Sequence, residues 1–222
     1  MHGNIKKAAN PICNLISKGE KIKQVQQFKY LGYIITSDAK CSTEIKRRIA
    51  MAKASFNKMS PILKNRNITM TTKMKVLKCY VWSILLYGCE CWTITKDSEN
   101  KIEATEKWLL RRLLRISWKE KKSNEVVLDE AHVGRSLLKA IRKRQMQFLG
   151  HLNRHKGLEH LALTGKIEGK RGRGRPRATY LGSLNKWVTG KDQGNVAFFR
   201  ASEQRNEWRT MIADVCRRSG TG

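Results

Sequence analysis

The residues of this sequence best suited to chemistry are its carboxylates, and their spacing does not favour catalysis. Enzymes that use two metal ions hold them with clustered carboxylates. The chain has only five aspartates, and no two of them are adjacent: Asp38, Asp97, Asp129, Asp192 and Asp214. The adjacent acidic pair Asp129-Glu130 falls in a short surface helix by its pattern. We therefore predict no catalytic residue in this chain.

Cysteine and histidine supply two candidate metal sites. Cys89 and Cys91 are separated by one residue, whereas cysteine pairs in structural zinc sites are usually separated by two to four. The pair also ends an apolar run, where cysteine packs as a small hydrophobic residue. For His151 and His155, with His160 beyond them, we favour solvated or phosphate-facing roles over ligation. We predict no metal site, although zinc at either pair stays an open alternative.

The stretch GKRGRGRPR, residues 169–177, carries five cations with three glycines and one proline. Its core Arg173-Gly-Arg-Pro176 matches an AT-hook-like element, whose extended backbone fits a narrow A·T minor groove. The match is only four residues long in an arginine-rich chain. Sequence-independent phosphate contact by a flexible loop and recognition for nuclear import are therefore the alternatives.

The composition favours a polyanionic partner. The formal net charge is +28 and the pI about 10.3, which indicates nucleic acid first and an anionic membrane surface second. The longest apolar stretch, residues 80–89, is about half of the ~20 residues that a membrane-spanning helix needs. The amino terminus lacks the apolar run of a signal peptide, and the six cysteines are scattered. We predict a nuclear or cytoplasmic protein that is not secreted and has no membrane partner.

The elements that must position these residues are mostly helices. Residues 14–25 alternate apolar and polar side chains around Lys18-Gly19-Glu20, which predicts a β-hairpin, and residues 26–36 predict a further strand. Apolar spacing then predicts helices at about 42–59, 71–87, 97–118, 123–131, 135–153, 178–188 and 197–218. The predicted fold is mainly α, with a short N-terminal β-hairpin followed by a helical bundle and a looser basic helical region.

Six stretches, in this order, resemble the reverse transcriptases of non-LTR (LINE-type) retrotransposons, and RTE/BovB-like elements in particular. They are FKYLGYIIT (28–36), EIKRRIAMAKASF (44–56), VLKCYVWSILLYGCECWT (76–93), KWLLRRLLRISW (107–118), IRKRQMQFLGHLNR (141–154) and GKIEGKRGRGRPRATYL (165–181). The resemblance extends from about residue 20 to residue 218. Six ordered blocks make it far more specific than the basic composition.

The resemblance implies roles for individual residues. In that family the Phe-x-Tyr-Leu-Gly strand is the primer grip at the end of the palm, and the following helices form the thumb, which holds the template–primer duplex by its backbone. The primer-grip-like residues here are Phe28, Tyr30, Leu31 and Gly32, with the aromatic side chains expected in the core. The nucleic-acid-binding residues would be Lys46, Arg47, Arg48, Lys53, Arg111, Arg112, Arg115, Arg142, Lys143, Arg144, Lys170, Arg171, Arg173, Arg175 and Arg177.

The same resemblance implies a chain without polymerase chemistry of its own. The family's fingers, its palm Asp-Asp pair and its endonuclease have no counterpart in this sequence. The intact polymerases use Mg²⁺, and we predict no cofactor for this chain. Residues 1–39 would be a palm remnant, residues 40–118 a thumb-like bundle, and residues 119–222 a basic helical region with a flexible Gly/Arg segment at 165–177.

Two functional hypotheses follow. The first is a C-terminal fragment of an RNA-directed DNA polymerase that binds RNA, DNA or an RNA–DNA hybrid, and that has the remainder of a retrotransposon polymerase as a further partner. The second is a stand-alone nuclear DNA-binding protein that uses the AT-hook-like segment on A·T-rich sites. A preference for A·T over G·C duplexes, abolished by Arg175→Ala, distinguishes the second hypothesis from the first.

Overall fold

Two short antiparallel hairpins precede the helices in the computed structural model, which describes residues 14–134, 136–164, 179–190 and 195–218. Strand β1 (Ile16–Ser17) pairs with β2 (Glu20–Lys21), and β3 (Gln27–Tyr30) pairs with β4 (Tyr33–Thr36). Both turns have positive φ at their two central residues, as type I′ hairpin turns do. The first hairpin is confirmed. Residues 26–36, predicted to form one further strand, instead fold back on themselves at Leu31-Gly32.

The rest of the described chain is helical, which confirms the mainly α fold. The longer helices are α1 (Ser42–Lys58), α5 (Lys96–Leu113), α7 (Leu137–His155), α9 (Tyr180–Thr189) and α11 (Arg205–Arg218). Shorter ones are α2 (Ser60–Leu63), α3 (Met70–Val76), α4 (Ser83–Leu85), α6 (Asn124–Glu130), α8 (Leu158–Thr164) and α10 (Asn195–Ala201), with 3₁₀ turns at Cys89–Cys91 and Trp118–Glu120.

Local sequence signals explain where several helices start. Thr69, Thr95, Ser123 and Thr179 precede α3, α5, α6 and α9, and each accepts a hydrogen bond from a backbone N–H of the first turn. Such capping satisfies one of the N–H groups that a helix leaves unpaired at its start. Because these short polar residues stand directly before apolar periodic runs, they could be found in the sequence alone.

Two predicted continuous helices are interrupted. The predicted helix 71–87 contains a π-helical stretch, Leu77–Trp82, between α3 and α4, and the Ser55 hydroxyl donates to the Tyr80 carbonyl at 3.2 Å. The predicted helix 197–218 is broken between α10 and α11. Periodicity alone did not distinguish these breaks, because apolar residues keep nearly the same spacing on both sides of them.

The apolar core consists of two clusters. The first unites α1, the helices between residues 70 and 86, α5, α6 and the start of α7 around Phe56, Leu85, Trp92 and Leu109. The second unites α9, α10, α11 and the second half of α7 around Met146, Leu149, Leu184 and Trp208. Helix α7 thus contributes to both clusters. The predicted division at residue 118 stays a prediction about domains, whereas the apolar packing passes from one cluster to the other along α7.

Buried polar groups fix α7 against its neighbours. The Gln145 amide donates to the carbonyls of Cys89 and Trp92 at 3.1 and 2.8 Å, and the Tyr180 hydroxyl donates to the Gln145 carbonyl at 3.2 Å. Buried hydrogen bonds of this kind specify one packing arrangement. Among the described residues, no helix has the length and apolar character needed to span a bilayer.

Candidate nucleic-acid interface

Helices α1 and α5 pack together and present cations along one outer surface. Lys46 and Lys53 are seven residues apart and therefore lie on the same face of α1, beside the buried face that contains Ile45, Ala52 and Phe56. Trp108 and Arg112 are four residues apart on α5, and Arg115 follows two residues after the helix ends at Leu113. We call these five side chains, Lys46, Lys53, Trp108, Arg112 and Arg115, the α1–α5 surface.

Trp108 is the centre of that surface. Its ring meets the edge of Phe56 at a centroid distance of 5.7 Å, so one part of the indole packs on the core. The Lys53 ammonium lies 5.0 Å and the Arg112 guanidinium 4.3 Å from the ring centroid. Cation–π attraction holds both cations near the ring without cancelling their charge.

The cations of the α1–α5 surface keep their charge available. Within the described ranges, none of Lys46, Lys53, Arg112 and Arg115 forms a salt bridge with a carboxylate. Arg115 donates to the Lys64 carbonyl, which orients the guanidinium and leaves its charge uncompensated. Cations that have no carboxylate partner and that packed helices hold in place can neutralise the phosphates of a nucleic-acid backbone.

Arg111 lies on the side of α5 that faces α6, next to Trp108 at the edge of the α1–α5 surface. Its guanidinium donates to the Lys122 carbonyl at 2.7 Å and to the Asn124 side chain at 3.2 Å. It lines a cavity of about 440 Å³ together with Asn100, Glu103, Lys107, Trp108 and Asn124. Arg111 therefore helps to join α5 to the start of α6.

Arg47 and Arg48 hold the hairpin turn instead of facing outward. Both guanidinium groups donate to the Gly32 carbonyl and to the buried Glu44 carboxylate. The Glu44 carboxylate also accepts from the Ile34 backbone N–H at 3.0 Å. Arg48 is buried and its guanidinium lies 4.3 Å from the centroid of the Tyr87 ring. Arg48 is therefore outside the surface that a nucleic acid can contact.

The primer-grip-like residues are arranged differently from the expectation. Phe28, Tyr30 and Leu31 are 58%, 56% and 74% exposed, so the prediction that the aromatic residues anchor the strand in the core is wrong. Tyr33 on β4 packs against the first cluster in their place, and the Tyr87 hydroxyl donates to the Leu31 carbonyl at 2.6 Å. Alternation of apolar and polar residues along a single strand puts Phe28 on the buried side. The turn at Leu31-Gly32 instead forms two paired strands, and β4 is the one that packs on the core.

The predicted cations on α7 have three different environments. Arg142 is buried and donates to Ser183 and Gln145, and desolvation lowers its pKa to about 10. Arg144 donates to the Leu86 carbonyl at 3.2 Å and lies 3.5 Å from the Glu90 carboxylate. Lys143 is exposed. Of the three, Lys143 is the side chain free to meet a phosphate, whereas Arg142 belongs to the packing between α7 and α9.

The basic segment lies outside the described residues. This applies to five predicted nucleic-acid-binding residues: Lys170, Arg171, Arg173, Arg175 and Arg177. Their contribution stays a prediction from the sequence.

The cysteine pair is divided between two environments. Cys89 is buried, and desolvation raises the pKa of its thiol to about 12, so it packs as an apolar group. Cys91 is exposed, and burial of part of the side chain raises its pKa as well. In the part of the chain that the structure describes, no three His, Cys, Asp or Glu residues lie close enough together to hold a metal ion.

Sequence reasoning missed Trp108, Glu44 and Tyr87. Trp108 stands four residues before Arg112, a spacing that places both on one side of a helix, and this signal was available. The pairing of Glu44 with Arg48 also has helical spacing. The contact of Tyr87 with Leu31 joins residues 56 apart, and no local pattern indicates it.

The comparisons with known proteins give a transposon-derived relative. The chain is 27% identical over 208 residues to an uncharacterized transposon-derived protein of Caenorhabditis elegans, and the match covers 88% of this chain and 73% of that protein. No protein-family profile and no solved structure matches the chain. The similarity indicates that this chain, too, has a transposable-element origin.

Proposed function

We propose that this chain is the nucleic-acid-binding part of a non-LTR retrotransposon reverse transcriptase, and that its α1–α5 surface contacts the sugar–phosphate backbone. The observation that carries the proposal is the arrangement of Lys53 and Arg112 around Trp108, with no carboxylate partner among the described residues. The ordered resemblance to reverse transcriptases supports the polymerase assignment, and the transposon-derived relative supports a transposable-element origin.

The proposed contacts are independent of base sequence. Lys46, Lys53, Arg112 and Arg115 reach phosphates as point charges or planar guanidinium groups, and such contacts fix the position of a protein on the backbone without reading bases. Trp108 contributes by holding two of the cations in place on a packed indole. The surface therefore suits a duplex or hybrid held by its backbone, which is the role of a polymerase thumb.

The proposal includes no polymerase chemistry for these residues. The Mg²⁺ ions of reverse transcriptases need neighbouring carboxylates, and the sequence has no adjacent aspartate pair. Glu44 and Glu106 are the glutamates that are buried in the described part of the chain, and they already accept hydrogen bonds from arginines or from backbone N–H groups. Among the described residues, none therefore forms a group that fits a catalytic metal site, and the function proposed for the chain is binding.

The test is a salt titration of binding to fluorescent duplex DNA, RNA–DNA hybrid and single-stranded RNA of equal length. For Lys53→Gln/Arg112→Gln, we expect the slope of log K against log salt on duplex DNA to become shallower by about 1.8, because each lost phosphate contact contributes about 0.9. The double variant Lys75→Gln/Lys186→Gln removes the same charge from two exposed positions on α3 and α9. It should leave the slope nearly unchanged.

Two results would contradict the proposal. One is the absence of salt-dependent binding by the unaltered chain at low salt. The other is an equal loss of slope in both double variants, since that would mean that net charge matters and the α1–α5 surface does not. A preference for A·T duplexes that survives the loss of Lys53 and Arg112 would favour the stand-alone DNA-binding protein.

A further inference from the structure

The exposed side of helix α7 carries two histidines whose rings lie side by side. His151 and His155 are four residues apart, about one helical turn. Their ring centroids lie 4.2 Å apart, with 45° between the ring planes. Both side chains are exposed. Within the part of the chain that the structure describes, no hydrogen bond or ion pair occupies either imidazole.

The opposite side of this helical stretch is held rigidly. A Cβ atom at Gly150 would lie 2.6 Å from the Trp208 ring, so the helix backbone and the indole are in close contact. The Trp208 indole N–H donates to the Met146 carbonyl at 2.8 Å. The Asn153 amide donates to the Phe199 carbonyl and to the Ser202 hydroxyl, both at 2.8 Å. The backbone that carries the two imidazoles is therefore fixed, and only their side-chain torsions remain free.

We propose that His151 and His155 chelate a divalent transition-metal ion of the class that prefers imidazole, such as Ni²⁺, Cu²⁺ or Zn²⁺. Neutral imidazole suits these ions, and two histidines four residues apart on one helix face are a known zinc-ligand arrangement. The two side chains share one face of a fixed helix, so the second ligand binds as an intramolecular step.

The electrostatic surroundings also permit a cation. The pair lies at the carboxyl-terminal end of α7, where the helix dipole favours positive charge. The neighbouring Arg154 guanidinium donates to the Ser202 carbonyl at 3.0 Å. Because no third His, Cys, Asp or Glu among the described residues completes the group, the site supplies two protein ligands. Water or another ligand fills the remaining positions.

The test is calorimetric titration of the full chain with Ni²⁺ at about pH 7.5. We expect binding of one ion, weakened about 100-fold by His151→Gln and equally by His155→Gln, because each variant leaves a single imidazole without its chelate partner. His132→Gln is the matched control, since His132 is exposed and stands apart from the pair. It should leave the affinity unchanged.

Each possible outcome decides the proposal. Absence of Ni²⁺ binding at millimolar concentration overturns it, and so does binding that survives both single substitutions. Glutamine is a good helix former at exposed positions, so far-ultraviolet circular dichroism should show that the variants remain folded. Nucleic-acid binding in metal-free buffer should be the same for the histidine variants, which separates this proposal from the proposed function.

Discussion

Two buried glutamates connect helices to neighbouring elements, and different donors bind their carboxylates: arginine side chains at Glu44, and the start of helix α7 at Glu106. Glu44 on α1 is 0% exposed and accepts hydrogen bonds from Arg48 at 2.5 Å and from Arg47 at 3.1 Å. Glu106 on α5 is 3% exposed and accepts from the backbone N–H groups of Ser136 and Leu137 at 2.9 Å, and from the Ser136 hydroxyl at 3.0 Å. No salt bridge to Glu106 is found among the described residues.

The difference shows that net charge does not determine how a buried carboxylate is neutralised. In a chain with a net charge of +28, Glu106 uses the start of α7, where free N–H groups and the helix dipole replace a cation. Burial nevertheless raises the pKa of Glu106 more than these hydrogen bonds lower it, and the nearby Glu103 adds to the increase. The negative charge of Glu44 is required by its arginines, whereas that of Glu106 is unfavourable in the fold.

The largest effect should come from Glu44→Gln. The substitution leaves the buried Arg48 guanidinium without a compensating charge, and breaking a buried ion pair in this way costs about 3 kcal/mol or more. Urea unfolding measures the loss. Glu125→Gln on the exposed side of α6 is the control and should change stability by less than about 0.5 kcal/mol. Equal stability of the two variants would mean that the arginines do not depend on Glu44.

A smaller effect should come from Gly32→Ala, which acts on the turn to which those arginines are bound. Gly32 has φ +77°, and a residue with a Cβ costs about 1–2 kcal/mol in this left-handed conformation. The nearest atom to a new Cβ would be the Tyr87 hydroxyl oxygen at 3.9 Å, so the cost reflects the backbone and not a clash. Gly134→Ala, which has open space and no positive φ, is the matched control in thermal unfolding.

The smallest effect should come from Glu106→Gln. The amide oxygen can still accept from Ser136 and Leu137, and it avoids the desolvation of a charge. Near pH 7 we expect stability within about 0.5 kcal/mol of the original chain, or higher.

The pH dependence gives the sharper measurement. Because the folded pKa of Glu106 lies above its unfolded value, the native state binds the proton more tightly, and the contribution of Glu106 to stability falls as pH rises from the unfolded pKa through the folded one. Glu106→Gln should therefore gain stability relative to the original chain as pH rises from about 4. If the difference in unfolding free energy between the original chain and Glu106→Gln is the same at every pH measured, the raised pKa of Glu106 is contradicted.

Much of the fold follows from local sequence. The apolar spacing of Ile45, Ala52 and Phe56 predicts the buried face of α1, and all three are buried. The same spacing already placed Arg48 on that face, between Ile45 and Ala52, with Glu44 four residues before it. The prediction that Arg48 contacts phosphate follows the resemblance to the reverse-transcriptase thumb and places Arg48 off the buried face, although its helical spacing puts it on that face.

Other parts of the candidate site depend on contacts between distant residues. The Arg142 guanidinium donates to the Ser183 hydroxyl, 41 residues away in sequence. The Ser136 hydroxyl donates to Glu106, 30 residues away. Lys53 and Trp108 come together only because α1 packs on α5. A pattern within one helix contains no information on its neighbour, so the sequence indicates which cations exist but not which of them the fold leaves free.

Helix α7 also sets an order of assembly. It supplies Leu137 and Ile141 to the first apolar cluster, and Met146 and Leu149 to the second. We therefore expect helices α9, α10 and α11 to fold after α7 has formed on the first cluster, because their apolar side chains pack on its second half. We expect local opening to follow the reverse order, with α9 to α11 detaching while the first cluster stays packed. The second cluster therefore depends on the first for its support, through helix α7 and through the hydrogen bond from the Ser183 hydroxyl to the Ile94 carbonyl at 3.0 Å.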